Sequence, residues 1–254
     1  MMELNYKVFG EGEPLIILHG LFGSLDNWQT LAKRWAESYT VYLIDQRNHG
    51  RSPHMDTHDY PSMADDLHTF MEQNWIHRAH ILGHSMGGKT AMHFALDYPD
   101  MVEKLIVVDM TPKAYEHGHA QIFQALNRVN PQAIQDRKEP ERQLAESISE
   151  QGVRQFLLKN LTREKTGGFR WKMNLPVISR DYENILVSIK HDDPFPHPAL
   201  FIYGEHSGYL KEEDKPLILD QFPSAEFVGL PTGHWVHAES PNALFQQVSN
   251  FIEK

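Results

Sequence analysis

Ile81-Leu82-Gly83-His84-Ser85-Met86-Gly87-Gly88-Lys89 sets a serine between two glycines, directly after a short apolar run and ahead of a helix-forming segment. G-x-S-x-G at such a junction suits a strained strand-to-helix turn with Ser85 exposed at its apex. Glycine is wanted at 83 and 87 because side chains there would crowd the turn. The helix that follows aims its first N–H groups and its positive dipole end at the serine, favouring negative charge that develops nearby. A glycine-bearing turn with an ordinary serine gives the same pentapeptide, so the rest of the chain must decide.

Comparable apolar runs recur at Leu15–Leu18, Val41–Ile44, Leu105–Val108 and Leu200–Tyr203, with a weaker one at Glu226–Val228. They read as buried strands. Met63, Leu67, Phe70 and Met71 follow helical spacing, with Ser62 as the expected N-cap. Ser240-Pro241 opens a last helix that sets Leu244, Val248, Phe251 and Ile252 on one face. The alternation predicts an α/β fold: a mostly parallel central sheet flanked by helices, with ligands bound off the carboxyl ends of the strands. Residues 112–197 interrupt it. Ile122, Leu126 and Val129, then Leu144 with Ile148, then Val153, Phe156 and Leu157 mark short helices, punctuated by Pro131, Pro140, Pro176 and Pro194. No strand is expected there. The segment reads as a helical cap inserted into a core made of residues 1–111 and 198–254.

The 254 residues contain 24 Lys+Arg against 34 Asp+Glu, a net charge of −10, so nucleic acid is not an expected partner. The charge is unevenly spread: residues 112–197 hold 13 Lys+Arg and 11 Asp+Glu, leaving −12 on the remainder. Zero cysteines exclude disulfides, a thiolate nucleophile and cysteine-based zinc sites. No run approaches the roughly 18 apolar residues of a membrane span, and the first residues do not form a secretory apolar region. A cytoplasmic protein with no membrane span is expected.

A serine hydroxyl needs a base, and the base needs an orienting acid. Among 16 histidines, His234 in Gly233-His234-Trp235 falls between the last strand and the last helix, the suitable place for a base. His237 belongs to the approach to that helix, and His84 should point away from Ser85 as a packing or hydrogen-bonding residue. An oxyanion hole needs two backbone donors. Met86 N–H supplies one, and Leu21 N–H, in His19-Gly20-Leu21-Phe22-Gly23 after the first strand, is the candidate for the other.

These segments, with Asp45-Gln46-Arg47-Asn48-His49-Gly50-Arg51-Ser52, occur in the order found in the α/β-hydrolase superfamily, which the chain resembles over nearly its whole length. More narrowly, Gly20-Leu21-Phe22-Gly23-Ser24, Asp45-x-Arg47-Asn48-His49-Gly50, Gly83–Lys89 and Gly233-His234-Trp235-x-His237-Ala238 resemble YbfF-type bacterial esterases and abhydrolase domain-containing 11 proteins. The resemblance implies ester or thioester hydrolysis beneath a helical cap, with no metal or organic cofactor. Arg47, Asn48 and Gly50 then suit a structural loop at the site's edge.

The acid departs from the broad superfamily pattern. The stretch after Leu200–Tyr203 reads Gly204-Glu205-His206-Ser207-Gly208, with Ser207 where an aspartate is usual. Asp109, closing Leu105–Val108 at the same sheet edge as Ser85, is the favoured acid. The closer resemblance also puts the acid there, in Val108-Asp109-Met110-Thr111-Pro112. Glu205 is the rival, and Ser207 a candidate accessory group.

The expected partner is a small-molecule acyl ester or thioester, with Phe22, Trp235 and apolar residues of the cap bordering its acyl chain. Arg154, Lys159, Arg163, Lys165, Arg170 and Lys172 stand against Glu164 alone, a local +5 that could steer an anionic acyl donor such as acyl-CoA. A solvated face explains the same charges. His117-Gly118-His119 and His54-x-x-x-His58 lack further ligands at metal spacing and read as solvated histidines. Two other readings stay open: a C–C bond hydrolase or lyase, and a non-enzymatic small-molecule receptor that keeps the triad residues.

Overall fold

The computed structural model describes residues 2–254 apart from Gln135, Arg137 and Thr166. The strands are β1 (Tyr6–Phe9), β2 (Glu13–Leu18), β3 (Tyr39–Ile44), β4 (Ala79–His84), β5 (Val102–Val108), β6 (Leu161–Arg163), β7 (Phe169–Trp171), β8 (Ala199–Gly204) and β9 (Ala225–Leu230). Seven form one sheet in the order β1-β3-β2-β4-β5-β8-β9, parallel except for β1 against β3. Near-continuous apolar runs fit that arrangement, because parallel strands are covered on both faces. Their ladders align the carboxyl ends, with Gly83 beside Val107 and Val108 beside Ile202. Ser85 N–H bonds Val108 O (3.0 Å) and Asp109 N–H bonds Ile202 O (2.7 Å), which carries the pairing one residue past each strand.

The helices are α1 (Gln29–Trp35), α2 (Tyr60–Gln73), α3 (Met86–Asp97), α4 (Ala120–Arg128), α5 (Lys138–Ala145), α6 (Gln151–Leu158), α7 (Leu175–Arg180), α8 (Lys215–Gln221), α9 (Val236–Glu239) and α10 (Pro241–Ile252). On one face of the sheet, Leu31, Ala32 and Trp35 of α1 pack with Leu244, Val248, Phe251 and Ile252 of α10, and the Trp35 indole donates to Ser249 Oγ at 3.1 Å. On the other face, Met63, Leu67, Phe70 and Met71 of α2 meet Ala91, Phe94 and Ala95 of α3. Leu126, Leu144, Leu157, Ile178 and Ile185, all from the segment between β5 and β8, join that same apolar cluster. None of the described helices is long and apolar enough to cross a membrane.

Three details differ from the sequence expectations. Ser62 is not the N-cap of α2: Asp59 is, its Oδ1 accepting the Ser62 N–H at 2.8 Å ahead of Tyr60-Pro61. The segment between β5 and β8 is not purely helical, because β6 and β7 pair as a hairpin closed through Gly167 and Gly168, both at positive φ. Three-residue strands are too short to print an alternation. β1 is a further strand that no apolar run marks: as an edge strand it leaves Tyr6 and Val8 exposed.

Two buried histidines fasten the loops that follow β2 and β3. His19 Nε2 accepts Gln46 N–H (3.1 Å), so Nδ1 carries the proton and donates to Gly20 O (2.8 Å). His49 Nε2 accepts Phe22 N–H (3.2 Å) while Nδ1 donates to Arg47 O (3.0 Å). Both rings must be neutral for these bonds, and burial pushes His19 down to about 4 and His49 down to about 3. Asp45 accepts Leu25 N–H and Arg51 N–H, and Arg47 clamps Asp66 of α2 through Nε (2.6 Å) and Nη2 (2.8 Å). The Asp45–Ser52 loop is thereby a rigid brace behind the Gly20–Gly23 loop.

Two outcomes follow for stability. Asp59→Ala should lower the unfolding free energy by about 1 kcal/mol in urea titration, the usual worth of a helix cap. Unfolded histidines titrate near pH 6.5, well above folded His19 and His49, so the unfolded chain binds more protons through that interval. Stability is therefore full above about pH 6.5 and falls on acidification towards pH 4, each histidine adding a slope of up to about 1.4 kcal/mol per pH unit. His49→Gln, which keeps a carbonyl acceptor, should flatten that slope in urea midpoints measured across the window; an unchanged slope would contradict the assignment.

Candidate active site

Every residue singled out for chemistry lies just beyond the carboxyl end of a strand: Leu21 after β2, Ser85 after β4, Asp109 after β5, Ser207 after β8 and His234 after β9. Ser85 sits at φ 53°, ψ −119°, a conformation non-glycine residues rarely adopt. The neighbours leave no alternative to glycine: a Cβ at Gly83 would lie 2.1 Å from Gly87 O, and one at Gly87 would lie 2.4 Å from Leu18 O.

Ser85 Oγ and His234 Nε2 are 3.0 Å apart, and His234 Nδ1 lies 2.6 Å from Asp109 Oδ2. The Asp109 carboxylate is fully buried and accepts two further bonds, from Gly204 N–H (3.0 Å, Oδ1) and Ser207 Oγ–H (2.5 Å, Oδ2). With Nδ1–H donated to the carboxylate, the tautomer leaves Nε2 free to accept the serine proton. Glu205, the rival acid, is exposed, and its carboxylate lies against Gly229 rather than His234. Ser207 meets the acid, not the histidine.

The two amides expected to bind an oxyanion, Leu21 and Met86, lie beside Ser85. Phe22 N–H is taken by His49 and Gly23 N–H by Gly20 O, which leaves Gly20 and Leu21 N–H without an acceptor among the described residues, and of these two Leu21 lines the cavity with Ser85 and Met86. Met86 opens α3, where the first amides have no acceptor within the helix. Leu21, Ser85 and Met86 line one cavity together.

Two cavities meet at Ser85, sharing Leu21, His119 and Tyr209. The first, about 240 Å3, is walled by Tyr60, Met110, Tyr115, Tyr182, Ile185 and Leu186. The second, about 370 Å3, holds His234 together with Phe22, Phe156, Leu157 and Trp235. Phe22 and Trp235 thus border this second arm, Phe22 edge-on to Phe123 and Trp235 against Phe156.

Other contributors were not visible in the sequence. Tyr209 stacks on the His234 ring, centroids 4.0 Å apart at 20°, and separates the two arms; only its place two residues after Ser207 could have hinted at this. His119, expected to be solvated, bonds the Tyr182 hydroxyl (2.6 Å) and faces both cavities, and burial lowers it to about 4. His58, also expected to be solvated, is buried. His84 does point away from Ser85: its Nε2–H donates to His234 O at 2.9 Å, and burial holds it well below the usual histidine range. His237 stacks on Trp28 at 4.7 Å.

Residues 13–241 match the family described as alpha/beta hydrolase fold. The chain is 38% identical to a Xenopus laevis protein named sn-1-specific diacylglycerol lipase ABHD11, over all of this chain and 85% of that one. It is 37% identical to esterase YbfF of Escherichia coli, over 94% of this chain and 92% of the other. A solved structure described as a marine microorganism esterase superposes with a TM-score of 0.97 at 46% identity, covering 99% of this chain and all of that one. On sequence, fold and strand order alike, the chain belongs to the α/β-hydrolase family.

Proposed function

We propose that this protein is a serine hydrolase that cleaves carboxylic esters and thioesters through an acyl-enzyme on Ser85, beneath a cap formed by residues 112–197. The observation that carries the reading is the unbroken hydrogen-bonded line Ser85–His234–Asp109 at the junction of two cavities. The relatives named lipase and esterase support ester hydrolysis as the reaction.

In this mechanism His234 Nε2 takes the Ser85 proton as Oγ attacks the acyl carbon, and Asp109 stabilises the imidazolium. Leu21 and Met86 N–H groups hold the oxyanion, each worth about 10²–10³ in rate. The bond to the leaving group breaks, and His234 returns its proton to the departing oxygen or sulfur. Water then attacks the acyl-enzyme with His234 again as base, and the acid departs.

The position of His234 assigns the arms. The proton donor must reach the leaving atom, so in this reading the leaving group occupies the second cavity, which His234 lines, and the acyl group enters the first, with Phe22 and Trp235 bordering the leaving group rather than the acyl chain. The aromatic and aliphatic walls of the first arm suit a hydrocarbon chain.

Of the basic residues in 154–172, Arg154 is engaged with Glu141 (3.0 Å) and Arg170 with Glu164 (3.5 Å), whereas Lys159 lines an outer groove that shares Phe156, Trp235 and His237 with the leaving-group arm. Lys159 is where an anionic thiol leaving group such as coenzyme A would meet a positive charge. Lys159→Glu should raise KM for an acyl-CoA by up to about fivefold, the worth of an exposed ion pair, and leave KM for a neutral p-nitrophenyl ester unchanged.

A panel of short esters and acyl-CoAs tests the chemistry. Ser85→Ala should lower kcat by about 10⁶ and Asp109→Asn by about 10⁴. Glu205→Gln should stay within about twofold of wild type, as for other exposed positions. Loss of activity in Glu205→Gln alone would overturn the choice of acid, and no turnover of any ester by wild type would favour the receptor reading.

A further inference from the structure

Lys89, one turn beyond Ser85 on α3, is fully buried and does not line either arm of the cleft. A buried ammonium without a carboxylate is costly and calls for a reason. No carboxylate lies within ion-pairing distance among the described residues; its partners are two carbonyls, Lys113 O at 2.7 Å and Val187 O. These oxygens sit on the two connections between the sheet domain and the 112–197 segment, one outbound and one returning. The connections are also zipped to each other, Ile189 N–H to Pro112 O (2.7 Å) and Tyr115 N–H to Leu186 O (2.8 Å). Leu186 precedes Val187 directly and Tyr115 lies two residues after Lys113; both are walls of the first cavity, with Ile185 and Tyr182 just upstream.

The groups around the ammonium do not supply a countercharge. From α2 the Tyr60 ring lies 5.6 Å away, with its hydroxyl donated to Ile185 O; from the outbound connection the Tyr115 ring lies 5.0 Å away. Asp214, ahead of α8, is held by the Lys113 ammonium at 2.6 Å. On α3 itself, His93 is turned to Asp97. Burial alone lowers Lys89 to about 7.

We propose that Lys89 is a positioning residue: it pins both connections of the cap to the nucleophile-bearing helix and so sets the acyl-chain preference of the first cavity. The bonds it makes are charge-assisted, so each is stronger than its neutral counterpart. An acetyl group at Ser85 fills little of the first cavity, whereas a longer chain extends along its walls, Tyr115 and Leu186 among them. Holding that wall therefore changes binding of long acyl chains and leaves the chemistry at Ser85 alone. The link to acyl preference rests on the acyl-enzyme reading above; the latch itself does not.

Two measurements on the 254-residue chain test it. In Lys89→Met, KM for a p-nitrophenyl hexanoate should rise about tenfold while kcat and KM for the acetate stay within about twofold. Equal effects on both esters, or none on either, would overturn the proposal. Should that variant fail to fold, hydrogen exchange in wild type still decides. After correction for intrinsic rates, protection of the Tyr115 and Ile189 amides should be several-fold greater at about pH 6 than at about pH 9, because the charged form makes the stronger latch. Unchanged protection would overturn it. The exchange arm needs no turnover, so an inactive Ser85 and an absent latch give different results.

Discussion

The arrangement depends on one constraint: a backbone turn so tight that Ser85 is forced to φ 53° between β4 and α3. Such a conformation costs about 1–3 kcal/mol and persists only where its surroundings over-determine it. Here Gly83 and Gly87 let the turn close on itself and on β2, and Ser85 N–H remains paired with Val108 O, so the strain stays within one residue. The result is a hydroxyl lifted above the sheet edge, with the start of α3 behind it. Asp109, at φ 51° just past the adjacent strand, repeats the device, and the two strained residues face the loop that carries His234.

The carboxylate at the end of β5 fits this geometry because β8 supplies its other bonds. Gly204 N–H holds Asp109 Oδ1, while Ser207 Oγ–H shares Oδ2 with His234 Nδ1–H, so the carboxylate is fixed with Oδ2 turned to the histidine. A serine at 207 is thus the complement of an aspartate at 109: with the acid one strand inward, the loop after β8 is left a position for a donor. His234 is itself set by contacts on three sides, the Tyr209 ring on its face, the His84 donor on its carbonyl and the Asp109 carboxylate on Nδ1.

Much of this was legible in the chain itself, because strained turns and parallel strands leave strong marks. Gly83-His84-Ser85-Met86-Gly87 announces its turn, and Leu105–Val108 announces a strand buried on both faces. Less could be read where the controlling contacts are long-range. That Asp59 rather than Ser62 caps α2 depends on where Tyr60-Pro61 starts the helix, a matter of one turn. The β6–β7 hairpin is three residues a side and draws its support from the surrounding cluster. Tyr209 and His119 are ordinary polar aromatics in sequence; only the folding of distant segments over Ser85 brings them to the cleft. The charge run 154–172 likewise looked uniform, yet the fold engages Arg154 and Arg170 with acids and leaves Lys159 at the groove.

The most direct test of the account is to label the protein with a serine-directed fluorophosphonate and map the modified peptide by mass spectrometry. The account predicts one adduct, on Ser85, formed in step with loss of ester turnover and suppressed in His234→Ala. An adduct on a different residue, or full turnover surviving complete modification of Ser85, would contradict it.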